Sequence, residues 1–137
     1  MKLPKMKYTP KVFLGGTCNN SDWRDKLIPK LDINYFNPVV KDWTPTAQEH
    51  EITQRETSDY CLYTITPKMT GVYSIAEVID DSNKRPEKTI LYIMFEDEDA
   101  KFTPEQVKSL DRVGQMVAGN GGLWAKSEKE VLDKLNN

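Results

Sequence analysis

Five strand-like segments alternate with five helix-like segments along this chain, and this alternation restricts the fold more than any other feature. The segments with a strand pattern cover residues 11–16, 33–36, 60–65, 89–95 and 123–125. Strict alternation is typical of a parallel sheet with helices on both faces. Five strands fit the order 2-1-3-4-5, so we predict an α/β fold with a flavodoxin-like, doubly wound sheet.

Local signals indicate where the intervening helices begin and end. Thr44-Pro45 and Thr103-Pro104 mark two helix starts, because threonine caps free N–H groups and proline suits the first helical position. Gln106 follows at the spacing of a capping box. The polar residues 80–83 are predicted to end the third helix.

Length and charge limit the kind of partner. A chain of 137 residues is the size of one domain, which we place at residues 11–137 behind a loosely held leader at residues 1–10. Its 19 basic and 21 acidic residues are interspersed, so no broad positive field is expected to bind a nucleic-acid polymer, and a small molecule is favoured. No apolar run approaches the roughly 20 residues that span a bilayer, which predicts a cytoplasmic protein without a membrane partner.

Cysteine and histidine are too few for most metal chemistry. Cys18 and Cys61 are the two cysteines, and each lies in or beside a strand pattern, where a structural thiol is expected. His50 is the single histidine, which excludes a multi-histidine metal site, and we expect it to be solvated. We therefore expect neither a metal nor an organic cofactor.

The predicted order makes strands 1 and 3 neighbours at the point where the strand order reverses, which is where open α/β sheets bind ligands. The loops that leave these strands, residues 15–20 and 66–73, should therefore face one crevice. Backbone N–H groups of the first loop can bind a phosphate beside a helix start. The residues concerned are Gly15, Gly16, Thr17 and Asn19. A structural turn, with Asn20 or Ser21 as the helix cap, fits the same sequence.

Glu77, which follows the second of these loops, is the main candidate for a reacting group. Ser74 and Glu77 have the spacing of a capping box, and in that interpretation the glutamate only stabilises the helix start. In the alternative interpretation, an ionised Glu77 attacks an electrophilic sugar carbon while a second acidic residue protonates the leaving group.

Other polar and aromatic residues near the strand ends have two interpretations as well. Asp42 and Trp43 can hydrogen-bond to and stack on a base, or form a surface turn with a packed indole. Asp59 is an acid or a turn residue. Tyr73 can stack on a sugar or base, or merely cover the loop.

Several short motifs follow one another in a fixed order between residues 11 and 92. They lie at residues 12–17, 21–24, 37–38, 42–43, 59, 62–63 and 71–77, with a weaker likeness at residues 121–124. Together they resemble the nucleoside 2-deoxyribosyltransferase-like family. No single motif is specific, but their order and spacing are.

The resemblance implies a flavodoxin-like fold and cleavage of the N-glycosidic bond of a deoxynucleoside or its monophosphate. Glu77 matches the family's nucleophile, which attacks C1′, and water or another base then accepts the sugar with retained configuration. Residues 15–17 match the loop that lines the sugar pocket. Glu51 is the best match to a second acidic residue on the preceding helix, with Glu49 next. Relatives often complete the site with a neighbouring subunit, so the resemblance also implies a homo-oligomer.

Two departures from the family pattern lie just before the glutamate. Relatives commonly have a glycine four residues before it and an aspartate or serine six before it, whereas Tyr73 and Gly71 stand there in this chain. The departures leave a second hypothesis open, a non-catalytic protein of this fold that binds a nucleotide or nucleotide-sugar.

Overall fold

The structure is a computed structural model, and it describes residues 8–18 and 20–137. The strands are β1 (Lys11–Gly16), β2 (Asn34–Phe36), β3 (Tyr60–Ile65), β4 (Thr89–Ile93), β5 (Glu96–Asp97), β6 (Ala100–Lys101) and β7 (Leu123–Ala125). The α-helices are α1 (Trp23–Leu27), α2 (Pro45–Thr57), α3 (Tyr73–Lys84), α4 (Pro104–Gly119) and α5 (Glu128–Asn136). Short 3-10 turns at Ile28–Lys30 and Pro86–Lys88 follow α1 and α3.

Five of the strands form one parallel sheet in the order β2-β1-β3-β4-β7. This order confirms the predicted 2-1-3-4-5 topology, with β7 as the fifth strand of the sheet. In the register between β1 and β3, Gly16 lies opposite Thr64, so the carboxyl ends of the two central strands lie side by side.

Helices cover both faces of the sheet, as predicted. On one face, Val12 and Leu14 of β1 pack with Trp23 of α1 and Leu135 of α5. On the other face lies a second cluster that contains Phe13 and Tyr63 from the strands, Val78 from α3, and Leu110 and Val117 from α4. Alternate residues of a strand face opposite sides, so one hydrophobic strand contributes to both cores.

The end of β1 fits closely against β3, and glycine is required there. Gly16 has φ +113°, and a Cβ at this position would lie 2.1 Å from the carbonyl oxygen of Thr64. At Gly15 a Cβ would lie 2.7 Å from the ring of Tyr63. The two glycines therefore let the first loop leave the sheet directly beside the carboxyl end of β3.

Two of the predicted helix starts are confirmed. The Thr44 hydroxyl accepts a hydrogen bond from the Ala47 N–H at 3.1 Å. At the start of α4, Thr103 and Gln106 form the complete capping box. Among the described residues, no helix is long and apolar enough to cross a membrane.

Several predicted boundaries are wrong. The third helix continues through residues 80–83 to Lys84, because Asp81 is buried and paired with Arg55 and Arg85 rather than solvated. The fourth strand ends at Ile93, before the predicted residue 95.

The start of the first helix also differs from the prediction. Its N-cap is Asp22, without a side-chain cap hydrogen bond, so neither Asn20 nor Ser21 caps it. The helix has only five residues before the 3-10 turn, and it does not follow the glycines directly. The first turn of α1 therefore lies six residues or more beyond Gly16 along the chain.

Candidate active site

A cavity of about 340 Å³ lies at the carboxyl ends of β1 and β3, where the topology predicts a ligand site. Its volume is in the range of small-molecule sites. One wall is the end of β1 and the loop after it, and another is the segment from Met69 into α3. The segment before α2 and Glu51 of that helix complete it.

Nine of the residues predicted to form the site line this one cavity. They are Gly15, Gly16, Thr17, Trp43, Glu51, Gly71, Tyr73, Ser74 and Glu77. Of the two acidic candidates on α2, Glu51 lines the cavity and Glu49 is exposed outside it.

Three other candidates are not brought to the cavity. Asp59 precedes β3, at the opposite end of the strand, where its carboxylate accepts hydrogen bonds from the Lys11 N–H at 2.8 Å and the Tyr8 hydroxyl at 2.5 Å. Asp42 is exposed and is not among the lining residues. Asn19 lies outside the described residues.

Glu77 is buried at the inner end of the cavity. Helix α3 begins at Tyr73, and its N-cap, Val72, makes no side-chain cap hydrogen bond. Ser74 is therefore inside the helix, and the capping box does not form. Glu77 is only 8% exposed. Within the described part of the chain its Oε2 atom has no hydrogen-bond partner, and Nη1 of Arg55 lies 3.5 Å away.

Glu51 and Glu77 both line the cavity, and the carboxyl group of Glu51 acts on that of Glu77. Burial, and after it the hydrogen bond and negative charge of Glu51, raise the pKa of Glu77 to about 8 against the opposing charge of Arg55. Like charges so close do not both ionise readily, so the position of Glu77 beside Glu51 favours its protonated form. The arrangement supplies one carboxylate and one carboxylic acid at the same site.

Arg55 is a site residue that the sequence reasoning missed. Arg55 lies on a helix with a mainly polar sequence, yet it is buried at 8% exposure. Its Nε donates to the Tyr63 hydroxyl at 3.1 Å, and its Nη2 donates to Asp81 at 3.1 Å. The available signal was its position four residues after Glu51, which puts both side chains on one face of α2.

Arg24 is a second buried arginine that was missed as a site residue, and it lines the cavity from α1. Its Nε donates to the carbonyl oxygen of Leu14 at 3.0 Å, and its Nη1 to that of Thr17 at 2.6 Å. The guanidinium also lies 4.3 Å from the Trp23 ring centroid. Arg24 therefore holds the loop after β1 in place.

The mouth of the cavity is apolar and aromatic. Trp43 is 58% exposed and Tyr73 is 68% exposed, although both line the cavity. Val39 and Val40 also line it from the segment before α2. His50 is exposed and packs edge-on against Phe36 instead. The mouth thus offers flat and aliphatic surfaces to a ring.

A cluster of possible metal ligands occurs elsewhere. In the described ranges, the carboxylates of Asp22, Asp97 and Glu98 lie within 4.8 Å of one another. Asp97 accepts a hydrogen bond from Ser21, and Glu98 is paired with Lys68 at 2.8 Å. None of these residues lines the cavity, and protein donors already occupy two of the carboxylates.

Comparison with known proteins identifies one matching family. The family described as "Nucleoside 2-deoxyribosyltransferase like" matches residues 9–90. Comparison with curated proteins gives no match. The family match covers more than half of the chain, from before β1 to the start of β4, and includes both cavity carboxylates. The chain therefore belongs to the nucleoside 2-deoxyribosyltransferase-like family.

Proposed function

We propose that this family member cleaves the N-glycosidic bond of a deoxynucleoside or deoxynucleotide by a retaining mechanism. The observation that carries the proposal is that the buried Glu77 and the partly buried Glu51 bring their carboxyl groups together in a cavity at the strand-order reversal. Retaining glycoside chemistry needs a nucleophilic carboxylate and a carboxylic acid close together.

In the proposed reaction, Glu77 passes its proton to Glu51 as the substrate enters, and the ionised Glu77 attacks C1′ of the sugar. The C1′–N bond breaks, its electron pair passes to the base, and a base nitrogen takes the proton of Glu51. Glu51, now ionised, then removes a proton from water or from a second base. The oxygen or nitrogen so activated attacks C1′ and releases Glu77, and two inversions leave the configuration retained.

The shape of the cavity supports an orientation for the substrate. The sugar would lie against the loop at residues 15–17, next to Glu77 and Glu51, and it would separate the two carboxyl groups as it enters. The base would lie between the aromatic surfaces of Trp43 and Tyr73 at the mouth. This orientation brings the glycosidic bond between nucleophile and acid.

The experiment measures base release by chromatography from a panel of deoxynucleosides and deoxynucleotides. Glu77→Ala is expected to abolish release while the circular dichroism spectrum stays that of the folded protein. Glu51→Gln should reduce it strongly, whereas Glu49→Gln, an exposed neighbour on the same helix, should leave it unchanged. Turnover by Glu77→Ala at the rate of the unmodified protein would end the proposal.

A second candidate function is non-catalytic binding of a nucleotide or nucleotide-sugar. One observation favours it: a Cβ placed at Gly71 would meet nothing within 4 Å, so there is open space where the family pattern expects an aspartate or serine. A missing substrate contact would weaken turnover more than binding. Calorimetry that gives tight binding, with no product after long incubation, would favour this candidate, and failure to bind any nucleotide would count against both.

A further inference from the structure

A buried ion cluster lies directly behind the cavity carboxylate, and the sequence motifs of the site do not include it. We propose that Arg55 is a positioning residue for Glu77, held by Asp81 and Tyr63 so that its Nη1 atom faces Oε2 of the glutamate. The role in turnover rests on the proposed function, whereas the contact itself does not.

The helix periodicity places the charged residues in register. Glu51 and Arg55 are four residues apart on α2, and Glu77 and Asp81 are four residues apart on α3. Residues with this spacing lie one above the other on a helix. The two helices therefore oppose two charged pairs, with Glu51 reaching Glu77 and Arg55 reaching both Glu77 and Asp81.

The guanidinium group of Arg55 is fixed on the side away from the cavity. Asp81 is completely buried and accepts hydrogen bonds from Nη2 of Arg55 at 3.1 Å and from the Tyr63 hydroxyl. Arg85 also pairs with Asp81, at 2.5 Å. A planar guanidinium with two anchored donors has little freedom to turn, so its remaining nitrogen keeps a defined direction.

The nitrogen that remains is the one next to Glu77. Nη1 of Arg55 lies 3.5 Å from Oε2, the buried oxygen that has no hydrogen-bond partner among the described residues. A contact on this oxygen fixes the carboxylate plane and leaves the other oxygen for C1′. Arg55 therefore selects one rotamer of the nucleophile as well as neutralising it.

Arg55 is expected to have a large effect on the ionisation of Glu77, because the other charged groups nearest to this carboxyl group are negative. Glu51 from α2 and Asp81 from its own helix are negative, and Tyr63 from β3 is an uncharged hydroxyl. Arg24 from α1 is the other cation of the cavity, but it acts mainly on the carbonyl groups of the loop after β1. Without Arg55, Glu77 would face two carboxylates with no cation against its own oxygen, so Arg55 is the contact that favours the ionised form of Glu77.

The test measures the titration of Glu77 in the absence of substrate by carboxyl ¹³C NMR. It uses a Glu51→Gln background, so that of the two cavity carboxyl groups only Glu77 remains to titrate. Arg55→Met is expected to raise the pKa of Glu77 by at least about one unit, and Arg55→Lys by less, because lysine retains the charge without the planar fork. Arg85→Met is the matched control, since it removes the other arginine on Asp81 and should leave the titration unchanged.

The same variants, with Glu51 intact, are then compared in turnover. Arg55→Met should shift the acid limb of the kcat/KM profile to higher pH and reduce kcat about tenfold or more at pH 6, with a smaller change in KM. Arg85→Met should lower stability without moving the profile. Since Arg55→Met leaves Asp81 less well paired, the substitution is repeated in an Asp81→Asn background and compared with Asp81→Asn alone.

An unchanged Glu77 titration after loss of Arg55, or an equal shift in Arg85→Met, would overturn the inference. The two proposals fail separately. If the unmodified protein shows no turnover, the proposed function is rejected, and the NMR titration still decides whether Arg55 acts on Glu77. Turnover together with an unaffected Glu77 removes only the role of Arg55.

Discussion

Helices α3 and α4 begin with the same sequence pattern but use it differently. Each has a hydroxyl residue three positions before a glutamate or glutamine, Ser74 before Glu77 and Thr103 before Gln106. In α4 the Thr103 hydroxyl accepts from the Gln106 N–H at 3.1 Å, and the Gln106 side chain accepts from the Thr103 N–H at 2.8 Å. In α3 neither side chain makes a cap hydrogen bond.

The difference comes from where each helix starts. Pro104 occupies the first helical position of α4, which fixes Thr103 as the N-cap. In α3 the N-cap is Val72, two residues before Ser74, so Glu77 lies beyond the first turn and cannot reach back. The helix forgoes about 1 kcal/mol of capping, and its glutamate remains free to face the cavity. A cap motif that is not used as a cap is therefore informative about function.

The largest effect is expected when the glutamate of α3 and the glutamine of α4 are each replaced by the other residue type. Glu77→Gln should lower kcat/KM about a thousandfold or more, because the amide cannot act as the nucleophile. Gln106→Glu should leave kcat/KM unchanged, because a glutamate also completes a capping box. Initial rates of base release measure both. Turnover by Glu77→Gln within tenfold of the unmodified protein would make the two helix starts equivalent in function.

The two helix starts should also differ, by a smaller amount, in how their glutamate or glutamine affects the pH dependence of stability. The folded-state pKa of Glu77 is raised to about 8, from 4.5. The folded protein therefore binds the proton more tightly, so the contribution of Glu77 to stability is full below pH 4.5 and is lost as the pH rises towards 8. Glu77→Gln removes this loss, and we expect it to be more stable than the unmodified protein by about 1–3 kcal/mol at pH 8.5.

Urea unfolding of both proteins at a series of pH values from 4.5 to 8.5 measures the difference. Other groups titrate in both proteins, so the quantity to compare is the gap between the two free energies of unfolding, which should widen with pH. Gln106→Glu is the control, because its new carboxylate would be exposed at a helix start. Parallel curves for Glu77→Gln and the unmodified protein would contradict the burial of the Glu77 carboxyl group beside Glu51.

Much of the fold could be predicted because its signals are local. Alternating hydrophobic segments, Thr44-Pro45 and the α4 capping box depend on neighbours in sequence, and the strand order follows from chain topology. The continuation of α3 past residue 80 could not be predicted, since the burial of Asp81 depends on Arg55, which lies on another helix. The two-residue strands β5 and β6 are too short to show a periodic pattern.

The site residues likewise fall into those that could be predicted from the sequence and those that could not. Residues that follow β1 and β3, among them Gly16 and Glu77, could be placed in one crevice because parallel strands end at one edge of the sheet. By the same argument Asp59, which precedes β3, belongs at the other edge, and the structure places it there. The roles of Arg24 and Arg55 depend on carbonyl and carboxylate groups of other elements, and no spacing in the sequence specifies those partners.

Removing the functional cap of α4 gives a moderate effect. Thr103→Ala should lower the free energy of unfolding by about 1 kcal/mol, because the N–H of Gln106 loses its acceptor and the reciprocal bond loses its geometry. Urea unfolding at pH 7 measures the change. Base release should be unaffected in the folded protein, since Thr103 does not line the cavity. A loss below about 0.3 kcal/mol would mean that the box contributes little to α4.

The matched substitution in α3 should have the smallest effect on stability. Ser74→Ala removes the hydroxyl at the equivalent position of the motif, but no cap hydrogen bond depends on it, and alanine is the better helix former. The free energy of unfolding should therefore change by less than about 0.5 kcal/mol, and in the stabilising direction if it changes. A loss equal to that of Thr103→Ala would show that Ser74 caps α3 in solution. Glu77 would then be drawn back to the helix start, and the free carboxylate on which the proposed chemistry depends would disappear.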